Sequence, residues 1–238
     1  MDSLETELSR ARNLDVADLA DAIESIGFEC TRCGACCKGY ETEDADETDG
    51  TDREPHTATV FPDEVRTLQS PDDVDTEYDW RDVARPLPYG LEAGDDGPKG
   101  ETFEWALQTD SCGDCTFYEE ADDGTGGCSV HDDRPLICQT YPFSVELSGT
   151  SQPMGEPVDR DGIVRAHECE GLGRDISRSE AETLAAALKD RAVRELSEAI
   201  GVRDNYEPID ESSRVEHGGI VVYDSEGPKT ADGQPFST

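Results

Sequence analysis

The sequence predicts an α+β fold: a small cysteine-rich domain with flanking helices and few short strands. Three observations predict it. Segments 15–27 and 178–200 carry capped apolar stripes at helical spacing. Short runs at 101–109 and 219–223 have the apolar patterning of strands. Nine cysteines stand in clusters that would build a poor hydrophobic core. The length, 238 residues, suits one domain or one domain with appendages.

Residues 1–29 read as a helical segment. Asp15 is a good N-cap, Asp18 sits at N3, and Val16, Leu19, Ile23 and Ile26 form one apolar face. Gly27 is a natural stop. Residues 41–57, ETEDADETDGTDREPHT, have no periodicity and read as a solvated acidic insert in preference to a metal-delivery loop. Residues 58–69 read as a short strand turning into a helix at Pro62, with Asp63 and Glu64 in its first turn. Residues 70–100 hold turn formers and more acid. Residues 101–109 alternate, with Phe103, Trp105 and Leu107 on one face. The strongest helix is 178–200, with Ser179 and Glu182 as a capping box. Leu184, Leu188, Ala192, Leu196 and Ile200 form its stripe, and Gly201 is expected to end it. GIVVY at 219–223 reads as a late strand and the end, SEGPKTADGQPFST, as a loose tail. The expected organisation is a helical segment (1–29), a cysteine-cluster domain (30–200) and a C-terminal extension (201–238).

Lys plus Arg is 20 against Asp plus Glu of 57, a formal net charge of -37, with only 34% hydrophobic residues. Low hydrophobicity with high charge is the usual signature of disorder. Two features favour a folded chain. The cysteines are clustered, and the acid is spread along the whole length, with four lysines against sixteen arginines. Such a composition is similar to that of proteins from salt-loving archaea. In molar salt the Debye length falls to about 3 Å and the repulsion is screened. No Lys/Arg stripe exists to contact phosphates, so no nucleic-acid partner is expected. No apolar stretch approaches the ~18 residues of a membrane span, so no membrane partner is expected either. The start, MDSLETELSR, lacks a basic n-region and an apolar h-region, which leads to the expectation of a cytoplasmic protein.

The cysteine spacing is Cys30-x2-Cys33-x2-Cys36-Cys37, then Cys112-x2-Cys115-x12-Cys128-x9-Cys138, then Cys169. Thiolate is a soft ligand that selects zinc, Cu(I) or iron–sulfur clusters. Gly34 and Gly113 allow the tight backbone that a metal knuckle needs. Disulfides fit a reducing cytosol poorly. Zinc and an iron–sulfur cluster both remain open. Adjacent Cys36 and Cys37 are expected to point in different directions, serving two metals or two faces of one cluster. Eight cysteines could make two four-ligand sites, with the ninth spare.

CTRCGACCKGY, followed far downstream by CTFYEEADDGTGGCSVHDDRPLICQTYPF and then EC-x-G-x-G, resembles the YkgJ-like cysteine-cluster family, whose hallmark is C-x2-C-x2-C-C. The resemblance implies a small α+β domain chelating zinc, iron or an iron–sulfur cluster. It maps the hallmark onto Cys30, Cys33, Cys36, Cys37, Cys115, Cys128, Cys138 and Cys169. Cys112 is additional to the common pattern.

A tetrathiolate site carries negative charge, and in this chain a nearby cation would stabilise it. Arg134, midway between Cys128 and Cys138, is the candidate; the alternative is a surface ion pair with Asp132 or Asp133. His131 and His167 are lesser candidate ligands, and Tyr141 and Phe143 read as core. No phosphate loop, G-x-S-x-G elbow, H-E-x-x-H or dinucleotide fingerprint is present. The leading reading is a metal- or cluster-binding protein. The alternatives are a redox or methyl-transfer enzyme and an interaction module with structural zinc.

Overall fold

The structure, a computed structural model, describes residues 2–41, 53–71, 76–94, 97–147, 157–159 and 162–236. Its elements are seven α-helices and short strands in small sheets among the described residues, an α+β arrangement as expected. It divides into two compact units: Met1–Cys33 with Pro135–Ile200, and Gly34–Arg134 with Gly201–Thr238.

The first unit is mainly helical. The N-terminal segment forms two helices. Leu4–Arg12 is capped by Ser3, and Val16–Ile26 by Asp15, whose Oδ1 accepts the Ala17 N–H at 2.8 Å. Gly27, at φ 77°, ends the second helix as expected. The long helix runs Arg178–Asn205. Its capping box lies two residues ahead of the expected one: the Ser177 N–H donates to Glu180 Oε2 at 3.1 Å, and the Glu180 N–H to Ser177 Oγ at 3.3 Å. Leu188, Ala192 and Leu196 are buried as expected, with Leu184 and Ile200 packed at the edge of the same core. Leu19 and Ile23 join them, with Phe143 and Val145 from the strand Phe143–Val145. That strand pairs antiparallel with Val164–Ala166, Phe143 opposite Ala166. Each fully buried Leu, Ile or Phe contributes roughly 1.5–3 kcal/mol. A cation sits in this apolar setting: Arg191, 2% exposed, donates to Glu195, to Thr140 Oγ1 and to the Phe143 carbonyl.

The second unit is built from small sheets. Trp105–Leu107 is the central strand of one, antiparallel to Thr59–Val60 and to Ala84–Pro86. Another has the order Gly227–Lys229, Ile220–Asp224, Lys99–Thr102, Leu91–Glu92, with Ile220–Asp224 parallel to Lys99–Thr102. The helix Pro62–Gln69 begins where the sequence predicts, and Glu64 accepts the Phe61 N–H at 3.0 Å.

Three expectations are corrected here. Residues 101–109 do not form one strand: Thr102 ends one sheet's strand and Trp105 opens the other's. Phe103, in between, is 50% exposed and stacks on Tyr206 and Tyr223. Gly201 does not end the long helix, which continues to Asn205. The final segment is not loose through residue 236. Gly227–Lys229 pairs with Ile220–Asp224, and Lys229 is buried against Asp224 at 2.7 Å, where Asp224 also accepts the Trp105 indole N–H at 2.8 Å. Residues 42–52 of the acidic insert lie outside the described residues. Its flanks, Tyr40–Glu41 and Arg53–Glu54, pair antiparallel.

Candidate metal centre

In the second unit the turn begins at Gly34, which stands at φ 77°. A Cβ there would meet the Tyr118 hydroxyl at 2.3 Å and its ring at 2.7 Å, so glycine is required on two counts. A single 3-10 turn, Ala35–Cys37, follows, closed by the Cys37 N–H on the Gly34 carbonyl at 2.8 Å. It places the Cys36 and Cys37 sulfurs 3.8 Å apart. The expectation that these side chains diverge is therefore corrected. Consecutive residues diverge on an extended strand, and here the backbone is a tight turn.

The Cys115 N–H donates to the Cys37 carbonyl at 2.8 Å, which seats the second cysteine loop on the turn. That loop is shaped by Asp110, whose Oδ1 accepts the N–H groups of Cys112 at 2.8 Å and of Asp114 at 3.0 Å. Asp114 in turn accepts the Gly39 N–H at 2.8 Å and pairs with Arg53. Cys128 ends the hairpin strand Gly126–Cys128, directly opposite Tyr118. Lys38 pairs with Glu120 and lies 5.1 Å from the Tyr118 ring centroid, and Tyr118 also donates to Glu120.

Electrostatics tie four thiols and one cation together. Cys36 and Cys128 each push up the Cys115 thiol, and Cys36 pushes up Cys128. The positive charge of Arg134 acts on Cys36 and Cys128 in the opposite sense. Burial, the larger cause, raises Cys115 to about 11 and also raises Cys128. The Cys36 thiol lies above the ordinary cysteine range, first through its hydrogen bond with Cys37 and then through desolvation. Cys36, Cys115 and Cys128 are therefore protonated as free thiols near neutral pH, so a metal must displace their protons to bind them. Arg134 also donates from Nε to the His131 carbonyl at 2.8 Å.

The first unit holds Cys30, Cys33, Cys138 and Cys169. The segment before Cys30 is stitched to the segment around Cys169. Phe28 bridges Leu172, the Glu29 N–H donates to the Gly171 carbonyl at 3.0 Å, and Thr31 hydrogen-bonds Glu170. The Gly171 N–H is directed at the Cys169 sulfur at 3.4 Å, a knuckle-type N–H to sulfur contact. A Cβ on Gly171 would lie 2.4 Å from the Glu29 carbonyl oxygen. Arg32 occupies the left-handed region at φ 56° between Thr31 and Cys33. Cys138 sits on the short helix Leu136–Thr140. Phe143 is core as expected, and Tyr141, half-buried, donates to the Glu168 carbonyl. His167 is buried with Nε2 on Ser144 Oγ at 2.9 Å, and His131 is exposed beside Asp132. Neither position favours a ligand role.

Soft thiols of this kind fit zinc or iron. Among the described residues no three His, Cys, Asp or Glu side chains stand within reach of one ion as placed. Sequence reasoning missed Asp110, Asp114, Tyr118 and Arg53, which hold these loops. Asp110, two residues before Cys112, carries an Asx-turn signal that could have been read. A family model matches residues 29–170: CxxCxxCC, described as "Putative zinc- or iron-chelating domain". The chain belongs to this family. The match spans all nine cysteines, from Cys30 to Cys169. Neither a search of curated proteins nor one of solved structures returns a match. No helix among the described residues is long and apolar enough to cross a membrane.

Proposed function

We propose that the chain is a cytoplasmic, salt-adapted metal-binding protein whose second unit holds one tetrahedral ion, zinc in the first place, through Cys36, Cys37, Cys115 and Cys128. The carrying observation is the 3.8 Å between the Cys36 and Cys37 sulfurs. Two thiolates on one tetrahedral zinc, at about 2.3 Å each, stand about 3.8 Å apart. A cubane iron–sulfur cluster takes one thiolate per iron, which spreads its sulfurs further. The bound ion supplies charge neutralisation and a fixed crossing point for the cysteine turn and the two loops after it. Arg134 offsets the negative charge left on four thiolates. Cys30, Cys33, Cys138 and Cys169 are the ligand set for a further zinc ion in the first unit.

A second reading is an iron–sulfur redox or methyl-transfer protein, and the C-x2-C-x2-C opening favours it. Anaerobic purification with elemental analysis and a visible spectrum decides between them. The expected result is a colourless protein containing zinc, with one zinc lost on Cys36→Ser and on Cys37→Ser, and none lost on Cys112→Ser. A band near 400 nm with stoichiometric iron and sulfide would replace zinc by the cluster.

A further inference from the structure

We propose that Cys36 and Cys37 form a reversible vicinal disulfide, a redox latch that ejects the metal held by this turn; the ejection rests on the metal-binding reading above. Three observations carry the pairing. The sulfurs are 3.8 Å apart, so a rotation bringing them about 1.8 Å closer reaches bonding distance. Cys36 is exposed, which gives an oxidant access, and Cys37 is half-buried behind it. The turn is held from both sides by groups outside the pair. The Cys37 N–H is bonded to Gly34, the Cys37 carbonyl to Cys115, and the Gly39 N–H to Asp114. The backbone therefore holds the pair in proximity whatever the sulfurs do.

The oxidant is a peroxide. Cys36 first loses its proton to water, and the thiolate attacks one peroxide oxygen; the O–O bond breaks, and the leaving hydroxide takes up that proton to become water. Cys36 is then a sulfenic acid. The Cys37 sulfur attacks the Cys36 sulfur, the S–O bond breaks, and the second oxygen leaves as water with the Cys37 proton. Two thiols lose two electrons and two protons, and one peroxide becomes two waters. Neighbouring residues have Cα atoms about 3.8 Å apart, below the usual 4.4–6.8 Å of disulfides. The bond is strained and readily reduced, as labile regulatory disulfides are. A thiol reductant restores the pair. Removing two of four sulfurs at once leaves the ion too few ligands.

The experiment uses the full chain loaded with zinc. One equivalent of hydrogen peroxide is added, released zinc is read with a chromogenic chelator, and free thiols are then alkylated. Trypsin, cutting after Arg32 and Lys38, yields the peptide Cys33–Lys38 with three cysteines. The expected peptide has lost two hydrogens and carries a single alkyl label, placed on Cys33 by fragmentation. One zinc is released per such peptide, and dithiothreitol reverses both signals. A label on Cys36 or Cys37, a cross-link to a peptide carrying Cys115 or Cys128, or a stable sulfinic acid overturns the proposal. If the chain carries no zinc, the same peptide map on the metal-free chain still decides the pairing, and only the metal reading fails.

Discussion

Replacing Gly34 by alanine tests the geometry of the cysteine turn most directly. Two penalties act together. Gly34 lies at φ 77°, where an L side chain costs about 1–2 kcal/mol. The new methyl would sit 2.3 Å from the Tyr118 hydroxyl and 2.7 Å from ring carbons, so the ring must swing away. Such overpacking costs about 1–3 kcal/mol. Against these, alanine restricts the unfolded chain and returns about 0.4–1 kcal/mol. The net expectation is a loss of about 2–3 kcal/mol. For a chain of this size that lowers Tm by roughly 4–12 °C. The Lys38 and Glu120 contacts of Tyr118 add little, because Glu120 is exposed and Lys38 partly so. The assay is thermal unfolding by circular dichroism in molar KCl, on Gly34→Ala, Tyr118→Ala and the double variant. If the clash is real, Tyr118→Ala relieves it. The double variant should then recover about 1–2 kcal/mol relative to additivity. Strict additivity would refute the placement of Tyr118 against Gly34, and with it the account of why the turn brings the sulfurs together.

Gly171→Ala presses a methyl on the Glu29 carbonyl, which is backbone and cannot rotate away. It should cost about 2–3 kcal/mol, and hydrogen exchange at the Glu29 amide should accelerate as its bond to Gly171 breaks. His56 is held to about 4, mainly by burial and then by the charge of Arg85, against 6.5 unfolded. Its pKa is depressed, so stability is fully present above pH 6.5, falls as the unfolded state gains a proton between pH 6.5 and 4, and levels off below. At pH 5 the loss is about 2 kcal/mol. Comparing His56→Gln with the parent chain in denaturant titrations at pH 7 and 5 should show the variant losing that much less. Arg191→Met removes the ion pair from Glu195, a carboxylate whose side chain is 13% exposed. It should cost about 2–3 kcal/mol, mostly recovered when Glu195→Leu is added; no recovery would mean that packing around Arg191, not charge, sets the loss.

Local signals were legible in the sequence, and long-range ones were not. Asp15, Pro62 and Gly27 act where they stand because capping and φ preferences are decided within a few residues. The helix stop at Gly201 failed for a packing reason. One glycine inside a helix costs only about 1 kcal/mol, and a Cβ there would lie 2.6 Å from Ser225, so the glycine serves a neighbour and not a terminus. Phe103 failed because alternation cannot reveal that a chain changes sheets: Thr102 pairs with Val222, and three residues on Trp105 pairs with Val60 and Pro86. Lys229 failed because a lysine reads as solvated until its buried partner, Asp224, is found. Cysteine spacing singled out Cys36 and Cys37, but the approach of their sulfurs depends on a 3-10 turn that spacing does not encode. The seating of the Cys115 loop on the Cys37 carbonyl, and the Asp110 and Asp114 hydrogen bonds that shape that loop, are tertiary contacts that spacing does not show.

The antiparallel pairing of Tyr40 with Glu54 and Glu41 with Arg53 has a consequence for how the gene can vary. The pairing acts as a clasp. Whatever joins residue 41 to residue 53 leaves and returns at neighbouring points, two residues beyond the cysteine turn's Lys38. The entropy of closing such a loop grows only with the logarithm of its length, about 0.6 kcal/mol per doubling. A peptide of another length joining residue 41 to residue 53 would therefore change the closure entropy little, with the clasp standing between it and the sulfurs. The clasp makes this position a natural graft site, where a reporter peptide can be tried without rewriting the cysteines.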